Sequence, residues 1–388
     1  MTQPQAAEKF SLVLGGPLYQ ALLRLGLTTP PIGHVERRIA ASIAITWLPV
    51  LALTALAGTL FGGTKVPFFH DIEAQVRLLI ALPLLIGAEP LVHAQLQVQV
   101  RQFVERGLIA AHDRAHFDRI IEDTMAVRNS MAIELVLLAA AIGVGFWVWR
   151  EQFASRVGTW YLANDLLTPA GAWYGFVSLG IFRFVLFRWY FRILLWYIFL
   201  WRVARMKLQL NALHPDGAGG IGFLGGSLGA LVPILLAQSA TLSAAIAGDL
   251  LHGGMALTAF RLEIGTAVVV LALIALVPLV FFFPAMLQAA FEGKLAYGSF
   301  AMRYVEEFRG RWLRRAAPAP EALLGTSDIQ SLADLANAHD RIRAMGLLPI
   351  GLKAVVRFAI IIALPFAPLV LTTIPLNVLL GRVLKQLI

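Results

Sequence analysis

The stretch WYGFVSLGIFRFVLFRWYFRILLWYIFLWR, residues 173–202, has a long apolar run at 173–201 with three arginines inside it and a fourth, Arg202, directly after it; it has neither proline nor acidic residues. The hydrocarbon core of a bilayer is about 30 Å thick, so a helix that crosses it needs roughly 20 apolar residues. This run exceeds that length. It therefore predicts a transmembrane helix that carries Arg183, Arg188 and Arg192 between its ends.

The rest of the chain has the same character. Its composition is 59% hydrophobic and 14% charged, and its mean hydropathy is +0.74. A soluble domain is closer to half apolar and a quarter charged. The sequence therefore predicts an all-α, polytopic membrane protein with about seven transmembrane helices and cytoplasmic helical extensions. We place the six further spans at 39–60, 78–97, 131–149, 227–247, 266–289 and 355–374.

The distribution of cationic residues between the spans predicts the orientation. Loops rich in Lys and Arg stay on the cytoplasmic side of a membrane. With the N-terminus inside, the cytoplasmic segments hold 21 Lys and Arg residues and the outer segments hold 7. We expect an integral protein of the cytoplasmic (inner) membrane, with the N-terminus inside and the C-terminus outside. The predicted cytoplasmic segments are 1–38, 97–130, 202–226 and 290–354.

These segments also suggest how the chain is divided. We expect an amphipathic N-terminal segment at 1–38, a six-helix membrane body at 39–289 with a helical extension at 97–130, a cytoplasmic helical region at 290–354, and a last span with its tail at 355–388. The prolines in AAPAPEALLG, residues 316–325, predict a linker. The sequence after it opens like a capped helix. We expect the helices of 97–130 and 328–345 to pack together, at the interface of a homo-oligomer.

Charges inside the predicted spans are the first candidate site. A charged side chain in the membrane is costly and is usually paired or faces water. Glu89 has an estimated depth close to that of Arg188, so we expect these two to be neighbours. Glu134 would lie within reach of Arg192 or Arg202. Three roles stay open: salt bridges that fix helix register, a cavity in which the arginines hold an anion or close a gate, and snorkelling, most plausible for Arg183.

The glycine-rich loop LHPDGAGGIGFLGG, residues 213–226, is the second candidate site. Pro215 cannot continue the preceding helix, and Asp216-Gly217 is a typical turn pair. The GxxxG spacings that follow would let a neighbouring helix approach closely. The favoured interpretation is a tight cytoplasmic hinge with a packing face, formed by His214, Asp216, Gly217, Gly219 and Gly220. Anion binding by backbone N–H groups, or proton or cation binding at His214 and Asp216, are the alternatives.

The function follows only in outline. No cysteine, HExxH or GxSxG motif is present, so we expect no enzyme, no metal and no cofactor, with an intramembrane enzyme as the least favoured class. Basic residues cluster at span ends, which argues against nucleic acid as a partner. Buried charges and proline-broken helices favour a protein that moves an ion or small solute through the lipid bilayer, channel-like more than carrier-like. A signalling or scaffold protein without transport is the alternative.

The plan of seven helices is similar in architecture to the seven-helix ion channels of the insect chemoreceptor type. The likeness lies in the N-in, C-out topology, the long cytoplasmic extensions and the last helix at the end of the chain. It includes no shared motif, so it assigns no residue a role.

The topology can be tested by cysteine labelling, because the natural chain has no cysteine. A cysteine at position 388 should react with a membrane-impermeant maleimide on intact cells, whereas one at position 5 should react only after permeabilisation. The reverse pattern would contradict the orientation.

Overall fold

The computed structural model describes residues 6–153, 159–163, 166–314 and 327–372, and these are almost entirely helical. The predicted linker and the C-terminal tail beyond residue 372 lie outside the described residues. The helices are α1 (Pro17–Arg24), α2 (Val35–Thr46), α3 (Leu48–Leu56), α4 (Ile72–Val76), α5 (Leu82–Glu105), α6 (Arg114–Arg128), α7 (Met131–Phe153), α8 (Pro169–Trp173), α9 (Leu179–Ala204), α10 (Ser227–His252), α11 (Arg261–Val280), α12 (Phe283–Phe308), α13 (Ser327–Arg343) and α14 (Leu352–Ala363). Two short strands, β1 (Leu162–Ala163) and β2 (Leu166–Leu167), pair antiparallel.

Six helical rods in the described part of the chain are long and apolar enough to cross a bilayer, and a bent pair makes a seventh if it counts as one span. This confirms the predicted fold class. In the second span a π-helical turn, Arg77–Ala81, joins α4 to α5, and in the fourth a similar turn, Tyr174–Ser178, joins α8 to α9. The six rods are Val35–Leu56, Ile72–Glu105, Pro169–Ala204, Gly222–His252, Leu257–Val280 and Leu352–Leu371.

The third predicted span, 131–149, corresponds to α7, the second helix of the bent pair. Helix α6 ends at Arg128 and α7 begins at Met131, and the two axes differ by 46°. The Ser130 hydroxyl accepts the N–H of Ile133 at 3.5 Å, at the start of α7. The amphipathic helix α6 is therefore set at an angle to the apolar helix instead of extending it.

The predicted sixth span, 266–289, extends nine residues too far, because the helix that forms it ends at Val280. Helix α11 stops at Val280, and Pro284 lies in the first turn of α12. Proline lacks an N–H and is favoured at that position, where no intrahelical hydrogen bond is lost. The apolar run after Val280 therefore belongs to a separate helix.

The loops gather at two ends of the bundle. At the first end, the backbone of Ile109 pairs with that of Leu208, and Gly346 donates its N–H to the carbonyl of Gly217 at 2.8 Å. The Gln97 amide donates to the Glu8 carbonyl, which adds the N-terminal segment to this group. The four segments expected to share the cytoplasmic side thus lie together at this end. We call this the N-terminal end. At the opposite end, Val66 pairs with Thr159.

The N-terminal segment is part of the core, which its amphipathic sequence did not predict. Phe10 is fully buried and packs against Trp196 and Phe199 of α9, with ring centroids 6.2 and 5.0 Å apart. Leu12 and Val13 are buried in the same cluster. Apolar side chains here fill the space between α9, α5 and α6.

The expected pairing of the two cytoplasmic helical regions is also wrong. Helix α6 packs mainly against α9, whereas α13 packs against α12. Phe103 and Ile120 are fully buried inside the chain. They serve the core of the protomer, so they are unavailable as an oligomer surface.

Candidate functional site

A carboxylate shared by two arginines joins three spans. Glu89 of α5 accepts a hydrogen bond from Arg192 of α9 at 2.8 Å on Oε1, and Arg38 of α2 binds its other oxygen. All three side chains are buried. A buried charge is tolerated where it is both paired and hydrogen-bonded, and Glu89 satisfies this with two partners.

Arg188 has a different partner from the one expected. Its Nε lies 3.2 Å from Oε1 of Glu134 on α7, close enough for an ion pair although the geometry does not make a hydrogen bond with that oxygen. The other Glu134 oxygen accepts the N–H of Leu18 at 3.2 Å. The expected Arg188–Glu89 pair is thus replaced by Arg188–Glu134 and Arg192–Glu89. An offset of one helical turn in the estimated depth explains the exchange, since Arg188 and Arg192 share one face of α9.

The remaining arginines of this region have other surroundings. Arg202 pairs with Asp123 of α6 at 2.7 Å near the surface, not with Glu134. Arg183 is partly buried, and the described residues include no acidic partner in an ion pair with it. Arg38 was not predicted as a member of this site, because it lies one residue before the predicted first span and was counted among the loop charges.

We call the group of buried and half-buried charges formed by Arg38, Glu89, Arg128, Glu134, Arg188 and Arg192 the charged cluster. It lies toward the N-terminal end of the first span. Arg38 is in the first turn of α2, and the rod Val35–Leu56 rises about 33 Å at 1.5 Å per residue, which is the thickness of the hydrocarbon core. Beyond Glu89, helix α5 becomes polar, with His93, Gln95 and Gln97. Glu89 lies in the middle of its own rod, Ile72–Glu105, but beside Arg38 at the N-terminal end of the first span.

The glycine-rich loop folds around its own aspartate. Asp216 Oδ1 accepts the N–H groups of Ala218 at 2.8 Å and Gly220 at 3.1 Å, and Oδ2 accepts that of Gly222 at 2.9 Å. The His214 ring lies 2.9 Å from the carboxylate. Although partial burial opposes the effect, these N–H donors and the ring hold the pKa of Asp216 below its usual value.

This geometry assigns the loop a structural role. The backbone donors that could have bound an external anion are already used by Asp216. Gly217, Gly219 and Gly220 have positive φ angles of 64°, 67° and 100°, which glycine adopts without strain. Arg106, the residue directly after α5, donates to the Gly220 carbonyl at 3.1 Å, so the loop is attached to the end of α5.

The glycines that follow bring α10 against α5, as their spacing predicts. A Cβ atom on Gly226 would lie 3.3 Å from the Gln99 amide, and one on Gly229 would lie 3.4 Å from that of Gln95. Larger side chains would push the helices apart.

A cleft of about 740 Å³ opens beside these glycines, between α5, α10 and α14. Its polar lining consists of Gln95, Gln99, Gln102 and Arg357, and its walls are apolar. Gln99 is 5% exposed, and the Oε1 atoms of Gln95 and Gln99 are buried without a hydrogen-bond partner. Buried polar atoms are normally paired, so these amides need a partner such as water or a solute. We call this cleft the α5–α10 cleft.

A second cavity, of about 410 Å³, lies at the opposite end of the same helix pair. It is bounded by α4, by residues near Thr159 and by the end of α10. Its charged lining is mainly acidic, with Asp71, Glu73 and Asp249 beside Lys65. Gly229 and Gly248, which line the two cavities, are 19 residues apart, or about 28 Å along α10.

Between the two cavities the helices are closely packed. Leu82 and Leu85 of α5 are buried in one apolar cluster with Leu235 and Ala237 of α10, and Ser239 of α10 is fully buried too. Ser239 donates its hydroxyl to the Leu235 carbonyl of its own helix at 2.7 Å. The helix pair therefore has a cavity with polar side chains at each end and a closely packed segment, which we call the sealed segment, between them.

Within the described residues, no group of three or more His, Cys, Asp or Glu side chains is placed to hold a metal ion. No protein-family model, no curated protein and no solved structure matches this chain.

The assignment of ion pairs can be tested by a double-mutant cycle. Arg188→Ala should destabilise the protein by roughly 3–5 kcal/mol, because it removes the ion-pair partner of the buried Glu134 carboxylate. Glu134→Gln should recover part of this loss, with a coupling of about 1–3 kcal/mol, whereas Glu89→Gln should not. Unfolding in mixed detergent gives the free energies. Arg202→Ala, at the exposed pair, is the control and should cost below about 1 kcal/mol. Rescue by Glu89→Gln alone would contradict the assignment.

The role of Asp216 can be tested by Asp216→Ala. Three N–H groups would lose their acceptor, and we expect a loss of roughly 2–4 kcal/mol and increased protease cleavage within 213–226. Since the folded-state pKa is lowered, the stabilisation is present above about pH 4 and should disappear as the pH falls through the folded-state pKa. Asp334→Ala, on the exposed face of α13, is the matched control. Equal effects of the two substitutions would rule out the proposed role.

Proposed function

We propose that this protein moves an ion or small solute across a membrane along the α5–α10 helix pair. The observation that carries the proposal is the pair of cavities at the two ends of these helices, separated by a sealed segment. Their separation of about 28 Å along α10 equals the hydrocarbon thickness of a bilayer. A solute that crosses only the sealed segment would thus pass from one aqueous side to the other.

Three features of the helices support this path. The rod that carries α5 is interrupted by the π-helical turn Arg77–Ala81 within the sealed segment, and such turns occur frequently at functional sites. Pro90 and Pro233 lie inside α5 and α10. Each proline removes a backbone hydrogen bond and weakens its helix locally. The sealed segment therefore includes points at which the two helices can bend.

The linings suggest what each end receives. Arg357 is the single charged residue of the α5–α10 cleft, so that end favours anions or the negative end of a polar molecule. The opposite cavity is mainly acidic. The sealed segment is typical of a gated conduit in its closed state, and both a gated channel and a carrier fit this geometry.

The proposal can be tested with purified protein in liposomes that hold a potassium chloride gradient. Release of K⁺ and Cl⁻ measures ion flux, and osmotic swelling in urea or glycerol measures neutral solutes. Gly229→Leu should reduce the active flux at least about tenfold, because the new side chain enters the cleft beside Gln95. Gly265→Leu is the control, since a Cβ atom at Gly265 has no neighbour within 4 Å.

A second variant tests the charge of the cleft. If ions are conducted, Arg357→Gln should shift the reversal potential toward cation preference. Absence of flux for all these probes, with folded protein confirmed by its melting transition, would reject the proposal and favour the signalling or scaffold alternative. Equal flux in the Gly229→Leu and Gly265→Leu variants would reject the path along α5 and α10.

A further inference from the structure

A small cavity lies beside the charged cluster, away from the α5–α10 cleft. It is enclosed by the N-terminal segment at Leu12 and Gly15, by the start of α7, and by one face of α9. Its free volume is about 20 Å³, which is room for about one particle the size of a water molecule. The polar lining residues are Arg128, Ser130, Glu134, Arg188 and Arg192.

The cavity has an excess of positive charge. Three guanidinium groups and one carboxylate line it. Including Arg38 and Glu89, the cluster holds four arginines and two glutamates. The charged cluster therefore has two more positive charges than negative charges.

Both carboxylates are already in use. Glu89 binds Arg38 and Arg192, and Glu134 faces Arg188 and the N–H of Leu18. Among the described residues, the hydrogen-bond acceptors of Arg128 are neutral, namely the Ser11 carbonyl and the Asn129 side-chain oxygen. These contacts satisfy hydrogen bonds of the guanidinium without neutralising its charge.

The first turn of α7 adds to the positive potential. Helix α7 has 23 residues and begins at Met131, next to Ser130 in the cavity wall. The N-terminus of a helix carries about half a positive charge. The side chains of Arg188 and Arg192 are only 13% and 6% exposed, and a net positive charge in such buried surroundings is costly unless an anion compensates it.

We propose that this cavity binds a single chloride-sized anion, held by Arg128, Arg188 and Arg192. The anion supplies the missing negative charge and ties the N-terminal segment, α7 and α9 together. A halide ion resembles water in size and fits the available volume, whereas sulfate and phosphate are too large. The site does not lie on the proposed path and does not depend on transport.

The test measures the melting temperature of the protein in nanodiscs of zwitterionic lipid, which avoids competition from anionic headgroups. The salt is sodium gluconate, replaced stepwise by chloride or bromide at constant ionic strength. The melting temperature should rise saturably, by about 5 °C, with chloride and bromide. Sodium sulfate at matched ionic strength should produce no such rise.

A charge placed in the cavity wall should replace the ion. Ser130→Asp supplies a carboxylate, so the melting temperature should become insensitive to chloride. Ser130→Asn can cap α7 equally well without a charge, and should keep the chloride response. If Ser130→Asp fails to fold, Arg128→Gln removes one excess charge and should raise the half-saturating chloride concentration at least about tenfold, whereas Arg183→Gln on the same helix as Arg188 should leave it unchanged.

Two results would overturn the proposal. One is an equal melting temperature in chloride and gluconate across the titration. The other is the same chloride response in the Ser130→Asp and Ser130→Asn variants, or, where those do not fold, in the Arg128→Gln and Arg183→Gln variants. Because the readout is thermal stability, the result is independent of whether the protein conducts any solute.

Discussion

The arrangement of the bundle depends on one buried carboxylate. Glu89 holds Arg38 of α2 and Arg192 of α9 at the same time, so three spans are fixed at one depth and one rotation. Apolar packing in a membrane cannot do this alone, because lipid tails solvate a leucine as well as a neighbouring helix does. Hydrogen-bonded ion pairs in a low-dielectric interior depend on the distance between the charges and on the angle of the hydrogen bond. Removing any partner would leave an unpaired charge in the core.

Hydropathy and charge predicted the parts of the fold that depend on one helix at a time. The length of an apolar run sets whether it can cross a bilayer, so the spans at 173–201 and 227–247 match helices in the structure. The segregation of basic loops reflected a real spatial grouping, since segments near Leu108, Leu208, Gly217 and Gly346 meet at one end. The GxxxG spacings Gly222–Gly226 and Gly225–Gly229 likewise predicted a close helix contact, because small residues four apart lie on one face of a helix.

Features that depend on how helices meet could not be predicted in this way. A shift of one turn is about 5.4 Å, and this is enough to exchange the partners of Arg188 and Arg192. Phe10 and Val13 gave no distinguishing signal, because a short apolar segment before the first span is compatible with the surface as well as the core. Cavities are the extreme case. A cavity is formed by side chains from several helices at once. The sequence around Gln95 and Gln99 therefore could not indicate that these residues line a cleft.

Helix α5 connects the two parts of the molecule that matter for the proposed function. Glu89 faces α2 and α9, while Gln95 and Gln99, roughly 80–120° around the helix at 100° per residue, face α10 and the cleft. Charge pairs anchor the first face, whereas the second has only close packing at glycines. Separating buried charges costs more than sliding one apolar surface over another. Any opening of the sealed segment should therefore move α10 relative to α5, with α2, α5 and α9 as the fixed frame. This places the moving element on the side of the molecule where Gly226, Gly229 and Pro233 make a helix easiest to displace.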